Sequence, residues 1–168
     1  MRMGTKAGTD TEQITDEDLI TCWGLFHEAL SETTPLLLQG IAPCGKDMSG
    51  PWFEVLLRLQ RSPHHRLPMS QLAREVSLSS GGFTKLADRL ERNGYLVRQA
   101  CALDRRVTYA TLTKKGLDLA EQARTKHVAL LREYVLAPLG ERGVRALAEQ
   151  ARKLRDNSRH AREELGKG

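Results

Sequence analysis

Apolar positions along the chain recur at helical spacing, then at strand spacing, then at helical spacing again. Leu19, Cys22, Trp23, Phe26, Leu30, Thr33 and Leu37 mark one face of a first helix, three or four residues apart. Thr15 is placed to cap it. Asp16, Glu17 and Asp18 put carboxylates at the positive end of its dipole, and Asp18 nearly completes a capping box, with Ile14 and Leu19 as a staple. Pro35 inside the run predicts a kink or a restart, and Gly40 and Pro43 its end. Pro51 suits the first position of a second helix carrying Trp52, Phe53, Val55, Leu56, Leu57 and Leu59. That helix is apolar on more than one face and therefore central, and Ser62-Pro63 stops it.

Two short helices follow, over about 68–77 and 80–93. The first turns Leu72, Ala73 and Val76 inward, the second Phe83, Leu86, Ala87 and Leu90, and Gly94 closes the second. The period then becomes two, which predicts strands over 95–100 and 107–112. Thr113 caps a long helix to about residue 137, stopped by Pro138 and Gly140. A last helix from near Glu141 carries Val144, Leu147, Ala151, Leu154, Ser158, Ala161 and Leu165 at alternating steps of three and four, a seam suited to a dimer arm. Residues 1–13 are polar and without period, a tail expected to be disordered.

Composition narrows the class. Aromatic residues make up 5% of the 168, which favours a helix-rich chain over a barrel or sandwich. No run of 18 apolar residues occurs and the N-terminal residues have no apolar core, so neither a membrane span nor a secretory signal is expected. Cys22, Cys44 and Cys101 are odd in number and far apart, which fits a reducing cytoplasm. Cys22, on the apolar face of the first helix, reads as a buried structural thiol. No H-x-x-x-H, C-x-x-C, P-loop or G-x-S-x-G pattern appears, so the reading is not an enzyme, with no cofactor and no metal. His64-His65 reads as a pair of exposed loop histidines.

The informative stretch runs from Leu67 to Thr113. In LPMSQLAREVSLSSGGFTKLADRLERNGYLVR, Ala73 is small where two helices cross and Leu78 fills the corner between them, a spacing that resembles a helix-turn-helix, with Ser77 where many such turns have Gly. The face opposite Phe83 and Leu86 carries Gly81, Gly82, Thr84, Lys85, Asp88, Arg89 and Arg92. From Lys85 to Arg106 six cationic side chains stand against three anionic ones, an excess of three in a chain whose net charge is +5. DRLERNGYLVR, then Leu103-Asp104-Arg105-Arg106, then LTKKG together resemble the winged helix-turn-helix of the MarR family of transcriptional regulators. The order of the flanking helices is similar too, from about Thr15 to the end.

The resemblance implies a mainly α fold: a winged helix-turn-helix over about 51–113 with a two-stranded β-wing, and dimerisation helices over about 15–40 and 114–165, after a tail at 1–14. It implies a homodimer that binds double-stranded DNA at a pseudo-palindromic operator, a ligand-responsive repressor in the cytoplasm. Arg106 resembles the wing arginine that enters a minor groove, Asp104 the acid that orients it, and Arg105 a phosphate contact. The DNA-contacting set is then Ser79, Ser80, Gly81, Thr84, Lys85, Arg89, Arg98, Asp104, Arg105 and Arg106. Trp23, Phe26, His27, Trp52 and Phe53 are candidates to line a pocket for a phenolic or carboxylate effector, although each aromatic also reads as core. Two alternatives stay open: a cysteine-based redox switch, and a helical dimerisation protein without specific DNA binding.

Overall fold

A computed structural model describes residues 13–45, 48–76 and 80–165, with Ser80 described by its backbone only. Residues 1–12 of the expected tail, and Ser77, Leu78 and Ser79 of the helix-turn-helix, lie outside the described residues. The chain divides into two compact units, Met1–Pro35 and Leu36–Gly168.

The first unit holds most of helix α1 (Asp16–Ile41). Its start is a capping box with Asp in place of the usual Glu. The Asp18 amide donates to Thr15 Oγ1 (3.1 Å), while the Thr15 amide and hydroxyl donate to the Asp18 carboxylate (3.2 and 2.6 Å). These bonds stabilise the ionised form and hold the Asp18 carboxyl below its ordinary pKa. Pro35 does not end the helix, which continues to Ile41. The apolar face is open: Leu19, Trp23 and Leu30 are exposed, Trp23 by 56%. Cys22 is exposed as well, which corrects its reading as a buried thiol, because nothing within this unit covers the face that carries it.

The second unit is built around α2 (Gly50–Arg61). Its Trp52, Val55, Leu56 and Leu59 are buried against Leu72 and Val76 of the α3 region (Met69–Glu75), Phe83, Leu86, Ala87 and Leu90 of α4 (Ser80–Arg92), and Leu119 and Ala120 of α5 (Lys114–Leu131). Burying side chains of this size stabilises by about 1.5–3 kcal/mol each, which explains why α2 is apolar on more than one face. Phe53 turns the other way, into a smaller cluster with Ile41 and Ala123.

Three antiparallel strands lie in the order β1-β3-β2: β1 (Arg66–Pro68), β2 (Leu96–Ala100) and β3 (Thr108–Leu112). Arg66 pairs with Thr111, and Arg98 with Ala110. The hairpin of β2 and β3 matches the expected wing. The third strand is new: three residues ending in proline are too short to show a period of two.

Two glycines fix how the wing leaves the helices. Gly94 (φ 73°) ends α4, its amide donating to Glu91 O (2.8 Å) and that of Tyr95 to Leu90 O (2.9 Å), the paired bonds of a Schellman stop. Gly116, in the first turn of α5, packs on the backbone of Tyr95: a Cβ there would lie well under 3.0 Å from the Tyr95 carbonyl oxygen and 2.8 Å from its carbon. Thr113 ties this corner. It caps α5 by accepting from the Gly116 amide (3.0 Å), its amide donates to Tyr95 O (3.1 Å), and its hydroxyl donates to Gly94 O (2.6 Å).

Beyond α5 the chain passes through a π-helical turn, Arg132–Leu136, into α6 (Ala137–Leu165). The expected stop falls at Gly140 (φ 64°, ψ 172°), while Pro138 sits within the first turn of α6. Leu147 and Leu154 of the seam are exposed, and no described residue of α6 is buried. Among the described residues no helix is long and apolar enough to cross a membrane.

Candidate nucleic-acid interface

The exposed face of α4 follows from its inward one. With Phe83, Leu86, Ala87 and Leu90 buried, Gly81, Thr84, Lys85, Arg89 and Arg92 are exposed and Gly82 and Asp88 half-buried. The face begins with two glycines, so a ligand backbone can approach the start of the helix closely, and its later turns are cationic. The Arg89 guanidinium also lies over the indole of Trp52, 5.7 Å from the ring centroid. Of the residues expected to contact DNA, Ser79 lies outside the described residues and Ser80 is described only as the first residue of α4.

The wing tip is closed by the Cys101 amide donating to Val107 O (2.8 Å) and the Val107 amide donating to Asp104 O (3.0 Å). Within it Asp104 and Arg106 form one unit. Asp104 Oδ1 accepts from the Arg106 amide (3.0 Å) and from its Nε (3.2 Å), and Oδ2 accepts from Nη2 (3.4 Å). The guanidinium beside it holds the Asp104 carboxyl below its ordinary pKa, so the acid stays ionised and keeps its grip. The Arg106 side chain is nonetheless 91% exposed. A planar cation is thus held in orientation at a hairpin tip with its surface open to a ligand. Arg105, beside it, is exposed.

Arg98 stands apart from this set. Its Nη2 donates to Asp88 Oδ1 (2.6 Å), its Nε lies 3.5 Å from Glu91 Oε2, and its amide donates to Glu91 Oε1 (3.1 Å). The side chain is only 26% exposed. Its charge therefore clamps β2 onto α4 and neutralises the carboxylates of that helix. Lys85, Arg89, Arg92, Arg105 and Arg106 remain as the outward cations. The sequence carries a hint of this role, since Asp88 and Glu91 lie on one side of α4 just before the strand that brings Arg98 back.

The aromatic set is divided. Trp52 and Phe53 are buried, Trp52 edge-on to Tyr95 (5.7 Å) and Phe53 against the ring of His127 (4.7 Å), so both serve the packed core. Trp23 and Phe26 stack at 5.9 Å within the first unit, with Phe26 half-buried and His27 exposed. His127 escaped the sequence reading: it is a half-buried imidazole whose Nδ1 has no hydrogen-bond partner, and burial pushes its pKa down. A lone histidine in a polar helix gives no signal of that kind. His65 Nδ1 lies 2.9 Å from Gln60 O and His64 is exposed in the adjoining turn.

Known proteins are similar to this chain in sequence and fold. A sequence model of the MarR family matches residues 46–107, the segment from before α2 to the end of the wing tip. The HTH-type transcriptional regulator MhqR of Bacillus subtilis is 33% identical over 92 residues, a match spanning 55% of this chain and just under two thirds (63%) of that protein. Among solved structures, Sco3205, a MarR family transcriptional regulator from Streptomyces coelicolor in complex with DNA, superposes with a TM-score of 0.76 at 25% identity, covering 89% of this chain and 92% of that one. AbsC, a MarR family transcriptional regulator from the same organism, gives 0.74 at 26% identity over 90% and 99%. The motif, the fold and these likenesses agree: residues 46–107 match the MarR family model, and the fold is that of solved MarR family regulators.

Proposed function

We propose that this chain is a sequence-specific double-stranded DNA-binding transcriptional regulator, acting in the cytoplasm as a homodimeric repressor. The observation that carries the reading is the wing tip: Arg106, 91% exposed and oriented by Asp104, on the same lobe as the exposed cationic face of α4. A minor groove offers negative potential to such a guanidinium, and a major groove admits a helix with a polar outer face. Sco3205, similar in fold over nine tenths of the chain, was solved with DNA. Gly81, Thr84, Lys85, Arg89 and Arg105 complete the proposed contact set, with Ser79 and Ser80 entering from the sequence. Arg98 positions β2 and leaves that set.

The homodimer reading is supported by two apolar faces with no cover, Leu19, Trp23 and Leu30 on α1 and Leu147 and Leu154 on α6. The dimerisation helices are then those over about 15–40 and 114–165. Two-fold symmetry requires a pseudo-palindromic site with half-sites about one helical turn apart. A phenolic or carboxylate effector would release DNA by changing the spacing of the two reading heads. With Trp52 and Phe53 closed in the core, that part of the reading rests on Trp23, Phe26 and His27.

Selection of bound duplexes from a random pool tests the proposal. An enriched inverted repeat, bound by the intact protein and weakened by Arg106→Ala by about 1–3 kcal/mol, is the expected result. A pool that stays random after several rounds overturns it.

A further inference from the structure

We propose that Leu103 is a second groove-contacting side chain of the wing, an apolar contact packed against the sugar walls and base edges of the DNA minor groove beside Arg106. The inference rests on the DNA reading above and adds a specificity-bearing residue to it.

Leu103 is 98% exposed, more than any other large apolar side chain among the described residues. A single exposed leucine is ordinary on a protein surface. This one stands at the hairpin tip, next in sequence to Asp104. The tip has no structural use for it. The turn is made by Asp104, whose carbonyl accepts from Val107 and whose carboxylate accepts from Arg106, and hairpin tips are usually built from Gly, Asn, Asp, Ser or Pro. The core of the lobe is already filled by Phe83, Leu86, Leu90, Leu96 and Leu112.

Charge decides what covers it. Two exposed arginines follow Leu103 within three residues, and the nearest acid, Asp104, is held by one of them. An exposed apolar side chain followed closely by two exposed cations matches a surface that is apolar at its walls and negative overall. The minor groove has both properties: sugar walls flank it, and its floor attracts guanidinium groups. Apolar side chains, leucine among them, pack there and wedge against base steps. Arg106 then supplies the charge-dependent part of the wing contact and Leu103 a part that does not depend on salt, because burying a leucine releases no counterions.

Fluorescence anisotropy on the selected operator, repeated over a salt series, tests this with the full chain. Leu103→Ala should weaken binding about fivefold to tenfold at every salt concentration, with the slope of log affinity against log salt unchanged. Leu103→Met should stay within twofold of the parent, since it keeps an apolar side chain of similar volume. Thermal unfolding should not move, because Leu103 is buried against nothing in the fold. If Leu103→Ala binds within twofold of the parent while Arg106→Ala loses affinity, the wing reads DNA without Leu103 and the inference is overturned. A salt slope reduced by Leu103→Ala also overturns it. If Arg106→Ala leaves binding intact as well, the failure belongs to the DNA-contact reading of the wing itself.

Discussion

Gly116→Ala should destabilise the protein although alanine is the better helix former. In an open helix interior the exchange would gain up to about 1 kcal/mol. At this position the new methyl group would meet backbone: it would lie well under 3.0 Å from the Tyr95 carbonyl oxygen and 2.8 Å from its carbon. A carbonyl cannot swing aside as a side-chain end can, so α5 and the start of β2 must separate by about an ångström to restore ordinary contact. That displacement costs about 1–3 kcal/mol as overpacking. It also stretches the bonds from the Thr113 amide to Tyr95 O (3.1 Å) and from the Thr113 hydroxyl to Gly94 O (2.6 Å), worth about 1 kcal/mol each when made. Set against the helical gain, the net expectation is a loss of about 2–4 kcal/mol, or a Tm lower by roughly 5–15 °C for a chain of this size. Urea unfolding followed by circular dichroism measures it, with Gly81→Ala as the control. A Cβ at Gly81 meets nothing within 4 Å, so that variant should be neutral or slightly more stable. A Gly116→Ala protein with a midpoint equal to or above the parent's would refute the steric account of this corner.

Three further outcomes are expected. Asp104→Ala should weaken operator binding less than Arg106→Ala does, and the double variant should add little to Arg106→Ala, because the two side chains act as one unit; tighter binding by Asp104→Ala would defeat the orienting role. A double-mutant cycle on Arg98 and Asp88 should show a coupling of about 0.5–1 kcal/mol in stability, since the pair at 2.6 Å is partly shielded from water, and a coupling of zero would mean that it clamps nothing. His127 has its pKa depressed by burial, so the unfolded chain takes up a proton near the ordinary value of 6.5 that the folded protein refuses. Stability should therefore be full above about pH 6.5 and fall as the pH drops from there toward the depressed pKa, and His127→Leu should flatten that acid limb of a urea-midpoint profile against pH.

Much of the winged helix-turn-helix was legible because it obeys local rules. The period of α4, the glycine after Asn93, the switch to alternation at β2 and the cap at Thr113 each depend on residues within one turn or one strand, and each is found close to its expected place. The Asp104–Arg106 pair was legible through the resemblance of the wing motif, and its bonds span only two residues. What escaped depends on partners distant in sequence. The inward role of Arg98 is set by Asp88 and Glu91 of another element, β1 exists only because β3 pairs with it, and His127 becomes unusual only once Phe53 lies against it. Cys22 was misplaced because an apolar stripe states that a face needs covering and not what covers it.

The pairing of β1 with β3 has a consequence for how the lobe folds and fails. Arg66 meets Thr111 only after α3, α4 and β2 have been enclosed between them, so forming this short ladder closes a loop that contains the whole helix-turn-helix. The entropy of that closure is lost before its few hydrogen bonds repay it, and the ladder must therefore form late, on a lobe already collapsed around Trp52 and Leu72. Once formed, it prevents the hairpin from fraying alone: β3 is held on both edges, and releasing it means opening β1 as well. Amide exchange at Ala110 should then report the opening of the entire lobe, slow and cooperative, while the loop at Ala102 to Arg105 exchanges freely a few residues away. The base of the wing thus opens only when everything it encloses opens with it.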